Sequence, residues 1–122
     1  MEDQARHSAE TELFNEQALL ILMDGDREDA EALLDAAVAE LRDTLEKLRQ
    51  HINNRNFGGI MLEAINARGL SSAMASRMLE DAADRIVRMA FLRNFEEAQM
   101  AFRDLRDCMT QVELHLRLKG WL

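Results

Sequence analysis

The sequence contains no proline and only five glycines among its 122 residues. Proline interrupts helices, so its absence leaves few forced breaks and suits long helices. Residues that favour strands are also scarce, because the chain has no tyrosine, one tryptophan and three valines. Alanine, leucine, glutamate, arginine and methionine, which are strong helix formers, dominate instead. The composition predicts an all-α protein.

A single cysteine, Cys108, excludes an intrachain disulfide and gives no sign of an oxidising compartment. No run of about 18 apolar residues is present, so the sequence predicts no bilayer-spanning helix. Residues 1–4 are acidic and lack the apolar segment of a secretory signal. We therefore expect a cytoplasmic protein.

Positive charge is also in short supply, since 23 acidic residues outnumber 15 lysines and arginines and give a net charge of −8. Such a surface repels phosphate backbones and anionic membranes, so we expect neither nucleic acid nor membrane as a partner. The hydrophobic share of 48% and charged share of 31% are typical of a folded chain. The length predicts one domain over residues 1–122.

Apolar periodicity predicts five helices separated by short polar turns. Residues 34–52 and 95–116 each carry apolar side chains at steps of three and four, as packed antiparallel helices do. The sequence shows no internal repeat, and neither glycine nor proline marks the boundary between the third and fourth helices. The pattern predicts an antiparallel four-helix bundle with an additional N-terminal helix. The predicted helices cover residues 8–23, 27–51, 57–74, 75 or 76 to 92, and 95–118.

No arrangement of residues indicates catalysis or metal binding. His7, His51 and His115 lack a second histidine or cysteine at ligand spacing, and no phosphate-binding glycine loop is present. Cys108 adjoins the apolar residue Met109, a position typical of a packed thiol. We expect no enzyme activity, no cofactor and no metal.

The third helix is unusually poor in charge, since residues 57–76 include only Glu63 and Arg68 as charged side chains. It carries two apolar stripes, although a bundle helix needs only one. The second stripe either faces outward as a protein-binding surface or is covered by the N-terminal helix. Its members are Gly58, Leu62, Ile65, Gly69 and Ser72.

The element order and this helix resemble the histidine-containing phosphotransfer (HPt) domains of bacterial phosphorelays. That family carries His-x-x-Lys-Gly followed by small residues, and here Arg68-Gly69 precedes the small-residue run 70–73. The resemblance covers residues 14 to 116. Ile65 stands at the histidine position, and its neighbour Asn66 cannot substitute. An isoleucine has no nucleophilic nitrogen, so the resemblance is to a member without phosphate-carrying capacity.

The resemblance implies a signalling module that docks a response-regulator receiver domain or a histidine kinase without passing phosphate on. Two other functions remain open. One is phosphotransfer through His51 or His115. The other is a small acidic chaperone or assembly adaptor, for which eight methionines would suit an adaptable groove. Monomer and homodimer are both compatible with the sequence. The predicted protein-binding residues are Leu62, Ile65, Asn66, Arg68, Gly69 and Ser72.

Overall fold

The computed structural model describes the backbone of residues 2–122 and the side chains of Arg6 and residues 8–122. Within that part there is no strand, and none of the helices combines the length and apolar character needed to cross a membrane. The predicted all-α class is confirmed. The helices are α1 (Glu2–Leu13), α2 (Glu16–Leu22), α3 (Arg27–Asn53), α4 (Phe57–Ala73), α5 (Arg77–Phe91) and α6 (Phe95–Leu118).

Four helices, α3 to α6, form the bundle. The helix α4 packs between α3 and α5, α6 packs against α5, and a smaller contact between α6 and α3 closes the ring. The apolar steps predicted for α3 and α6 face the interior, with Leu45 and Phe95 half-buried at its edge. Burial of these side chains supplies the main driving force for folding. Fully buried members include Leu34, Leu41, Leu48, Leu105, Val112 and Leu116.

The predicted N-terminal helix over residues 8–23 is wrong in one respect, because the chain forms two helices there. Asn15 caps α2 by accepting a hydrogen bond from the Ala18 amide at 3.0 Å. Its own amide donates to the Ala75 carbonyl at 2.8 Å, so the chain bends away from the α1 axis to reach the turn after α4. A side chain that satisfies free amides favours a new helix start at that point.

Polar caps begin each helix from α2 to α6. In every case the cap side chain accepts a hydrogen bond from the amide three residues later, which satisfies one of the free N–H groups of the first turn. The complete set is Asn15, Asp26, Asn56, Ser76 and Asn94.

Three helices of the bundle end at a left-handed residue other than glycine. Arg55, Ala75 and Arg93 follow α3, α4 and α5 with φ of 52°, 57° and 55°. Ordinary L-residues prefer to avoid this region, so glycine is the usual residue at such a position. The boundary between α4 and α5 therefore lacks the glycine that usually marks a helix end in a sequence. Its Ala75 takes the same left-handed conformation as Gly120 after α6, whose φ is 80°.

Two of these turns share the sequence Arg-Asn-Phe, a short recurrence that the sequence analysis did not find. In each turn the arginine is left-handed, the asparagine caps the next helix and the phenylalanine begins it. Phe57 and Phe95 meet edge to face at 6.3 Å. Each arginine lies over the phenylalanine of the other turn. Arg55 lies 4.5 Å over the Phe95 ring, and Arg93 lies 5.7 Å over the Phe57 ring. These contacts hold one end of the bundle together.

Trp121 folds back onto the opposite end of the bundle. Its ring is 3% exposed and meets the Phe14 ring edge to face at 5.3 Å. The Arg27 guanidinium lies 4.1 Å above it. Trp121 therefore joins the turn after α1 to the start of α3 and the end of α6.

Candidate protein-docking site

The helix α4 divides cleanly into a core face and an outward face. Ile60, Ala64, Ala67 and Ser71 are buried against the other bundle helices. The second apolar stripe lies on the opposite side, and all five of its residues are exposed. The helices α1 and α2 pack on α3, α5 and α6, so they leave this stripe uncovered. The second stripe therefore faces outward, and its role in protein binding stays a prediction.

Ile65 and Leu62 give the outward face its apolar character. The Leu62 side chain is 65% exposed and that of Ile65 is 44% exposed. Gly69 follows one turn after Ile65, and a Cβ placed there would have no atom within 4 Å. The backbone at the centre of α4 is therefore open to close approach by another surface. Ser72 continues the exposed row toward the end of the helix.

Asn66 and Arg68 lie on the two flanks of this face and tie α4 to its neighbours. Asn66 Nδ2 donates to Thr44 Oγ1 of α3 at 3.1 Å. Arg68 Nη1 donates to Asp84 Oδ1 of α5 at 2.8 Å. The structure therefore brings all six predicted residues to one side of α4, with four on the outward face and two beside it. We call these six residues the α4 docking face.

The Arg68 charge is shared rather than isolated. Asp84 also pairs with Arg88 at 3.2 Å, so one carboxylate serves two guanidinium groups. The cluster keeps a net positive charge beside the α4 docking face. All three side chains are at least one third exposed, so the ion pairs themselves contribute little to stability.

An apolar groove between α4 and α5 was missed by the sequence analysis. Its apolar lining includes Met61 of α4 together with Val87, Phe91 and Leu92 from α5 and the residue after it. Phe91 is 75% exposed and Leu92 is 65% exposed. A signal was present, because neither residue lies on the helical stripe that runs through Ile86 and Ala90. An apolar side chain off the buried stripe indicates a candidate contact residue.

The histidines do not form a catalytic arrangement in the described residues. His51 is half-buried against Gly59, where a Cβ would collide with its ring, and its Nδ1 lies 3.4 Å from Asn56 Nδ2. His115 is half-buried and stacks edge to face on Phe14 at 6.4 Å. The His7 side chain lies outside the described part. No group of three histidine, cysteine or carboxylate side chains positioned to hold a metal occurs among the described residues.

Cys108 is buried in α6, and burial raises the pKa of its thiol from 9.0 to about 11. The rise lowers the thiolate fraction at pH 8 by about a hundredfold, and the thiolate is the reacting species. We expect iodoacetamide to alkylate the native protein at least a hundredfold more slowly than the urea-unfolded chain, as followed by intact mass. Equal rates in the two states would contradict this burial and reopen Cys108 as a candidate nucleophile.

The architecture matches a solved structure, that of the HPt domain from an Hpt sensor hybrid histidine kinase of Shewanella. The two chains share 14% sequence identity with a TM-score of 0.68, and the match covers 88% of this chain and 97% of that one. The bundle has the fold of an HPt domain. No protein-family model and no curated protein sequence matches the chain.

The HPt fold confirms the architecture implied by the sequence motif. Four helices form its core and the N-terminal helices add to it, although the N-terminal element is double rather than single. At 14% identity the likeness is one of fold, so the chemistry rests on this chain's own residues. Those residues present a surface centred on Ile65.

Proposed function

We propose that this chain is a pseudo-HPt module of a bacterial phosphorelay that binds a receiver domain or a histidine kinase in the cytoplasm and carries no phosphate. The observation that supports it most directly is the placement of Ile65. The motif resemblance assigns this position to the phosphorylated histidine, and its side chain is exposed at the centre of the α4 outward face.

Phosphoryl transfer onto an HPt-like helix needs an accessible imidazole nitrogen. Ile65 offers hydrocarbon alone, and Asn66 directs its amide to Thr44 on the flank. The proposal is therefore that the shape of the docking surface is kept while the reaction is absent. The two described histidines support the same reading, because His51 and His115 are both half-buried in packing contacts, His51 against Gly59 near the start of α4 and His115 against Phe14.

The α4 docking face has the parts that a modest protein interface needs. Leu62 and Ile65 supply apolar contact area, Gly69 admits a partner's side chain close to the helix backbone, and Ser72 offers a hydroxyl at the rim. Interfaces of this kind draw most of their affinity from a few central apolar residues surrounded by a polar rim. Ile65 is the central residue of this set.

The test is to measure binding of the full chain to receiver domains and histidine kinases of the source organism by titration calorimetry. We expect Ile65→Asp to weaken the interaction by at least about tenfold, because it places a desolvated charge at the interface centre. Leu114→Asp on α6 is the matched control, because Leu114 is an apolar residue of the same size as Ile65 and its side chain is 57% exposed. It should leave the affinity unchanged.

Three results would point elsewhere. Unchanged affinity in Ile65→Asp would remove the α4 docking face from the interaction. Acid-labile phosphate on the wild-type chain that disappears in His51→Ala or His115→Ala would show transfer through another histidine. A stable dimer that buries Leu62 and Ile65 would favour the adaptor function instead.

A further inference from the structure

Charge is distributed unevenly in this acidic protein. Residues 55–94, which include α4 and α5, contain six arginines and four acidic residues, for a net charge of +2. The whole chain carries −8, so the residues outside this segment carry −10. Two of the six arginines, Arg77 and Arg85, pair with carboxylates of other helices. The positive region of the α4–α5 hairpin is therefore formed by the remaining four arginines, Arg55, Arg68, Arg88 and Arg93.

Four of these arginines lack an ion pair with a carboxylate of their own. Arg68 and Arg88 share Asp84. Arg55 and Arg93 form no ion pair within the described residues and lie over the Phe95 and Phe57 rings. In a chain with an excess of carboxylates, unpaired guanidinium groups gathered at one place leave a local potential that is favourable for an acidic surface.

The apolar groove lies within this positive region. It is a depression of about 420 Å³ whose lining includes the apolar residues Met61, Val87, Phe91 and Leu92 and the charged residues Arg68, Asp84 and Arg88. Arg93 borders the adjoining depression, where it shares Met61 and Phe91 with the groove. An exposed phenylalanine with a basic rim combines the two features that dock an amphipathic segment, namely an apolar anchor and a charge of one sign.

We propose that the α4–α5 groove binds an acidic amphipathic protein segment, whose apolar side chains contact Phe91 and Met61 and whose carboxylates face Arg88, Arg93 and Arg68. The groove shares Arg68 with the α4 docking face, and its Met61 lies one turn from Ile65, but its most exposed apolar residue, Phe91, lies on α5. An acidic segment can bind this groove whether or not the partner of Ile65 is a receiver or a kinase. Charge favours an acidic segment over the same groove of a second copy of this chain, because two such grooves in contact would place arginines against arginines.

The test uses two synthetic peptides of about 16 residues, long enough to form a helix on binding. Both carry the same leucines at positions i, i+4 and i+7, and their remaining positions are glutamate and alanine in one, lysine and alanine in the other. Binding to the full-length ¹⁵N-labelled chain is followed by amide chemical shifts. We expect the glutamate peptide to cause saturable shift changes at residues 88–93 and to bind more weakly as the salt concentration rises. The lysine peptide should cause no shift changes.

Two variants examine the anchor and the rim separately. Phe91→Ser should lower the affinity for the glutamate peptide by about tenfold. Arg88→Glu should lower this affinity and also reduce its dependence on salt. Their matched controls on α6 are Leu114→Ser and Arg103→Glu, at exposed positions away from the groove, and both should bind as the wild type does. Phe91 and Arg88 are exposed, so their variants should keep the fold.

Equal binding of the two peptides, shifts that map outside the groove, or full affinity in Phe91→Ser would each overturn the proposal. Sedimentation of the free chain provides a further check, because self-association lost in Phe91→Ser would make a second copy the occupant. The peptide assay contains neither receiver nor kinase, so its failure leaves the function proposed for Ile65 intact.

Discussion

An Ile65→His variant should acquire phosphate from a phosphorylated receiver domain, whereas the wild-type chain should acquire none. The side chain at position 65 is 44% exposed, and Gly69 leaves the helix surface beside it open. An imidazole there can attack the acyl phosphate of the receiver: a nitrogen–phosphorus bond forms, and the phosphorus–oxygen bond to the aspartate breaks. The aspartate leaves as a carboxylate.

The measurement is acid-labile, base-stable phosphate on the variant after incubation with a receiver to which the wild type binds. Asn66→His is the matched control, because it places the same imidazole one residue further along, on the flank that faces Thr44 rather than at the outward centre. We expect Ile65→His alone to be labelled. Equal labelling of both variants would show that placement on α4 does not matter, and labelling of neither would contradict the assignment of Ile65 to the reactive position.

Trp121→Ala should lower the free energy of unfolding by about 3 kcal/mol, the scale typical of removing a buried aromatic side chain. Trp121 is 3% exposed, so its loss would uncover the Phe14 ring and remove the partner of the Arg27 guanidinium. The truncation would also weaken the link between the turn after α1 and the bundle.

Urea denaturation followed by circular dichroism checks this value. Leu118→Ala is the matched control from the same segment, because its side chain is 77% exposed and should change the free energy by less than about 0.5 kcal/mol. Equal changes in the two variants would mean that Trp121 does not pack as described. Receiver binding at low urea should survive in Trp121→Ala, since the α4 docking face lies on another part of the molecule.

The sequence predicted the long elements of the bundle well, because periodicity and caps act locally. The bounds of α6 match the predicted residues 95–118, and α4 begins at residue 57 as predicted. The division of α4 into two stripes was also visible, but whether the second stripe faced outward or lay under the N-terminal helix was not. That answer depends on where α1 and α2 pack, which is a tertiary property.

Two features could not be read from local sequence. The bend at Asn15 depends on a hydrogen bond to Ala75, sixty residues away, so the apolar stripe alone continued the helix through it. The groove beside Phe91 forms only when α4 and α5 are side by side. Its arginines gave no signal in the sequence, because the carboxylate that Arg68 and Arg88 share is on α5 while Arg68 is on α4.

The bond from the Asn15 amide to the Ala75 carbonyl joins two main-chain groups. Substitution of either side chain leaves both atoms in place, and of the common residues proline at position 15 alone would remove the donor. The placement of α4 is thus insulated from changes in the residues that it displays. Over evolutionary time such a scaffold can lose a reactive side chain by drift and still be selected for the surface that remains.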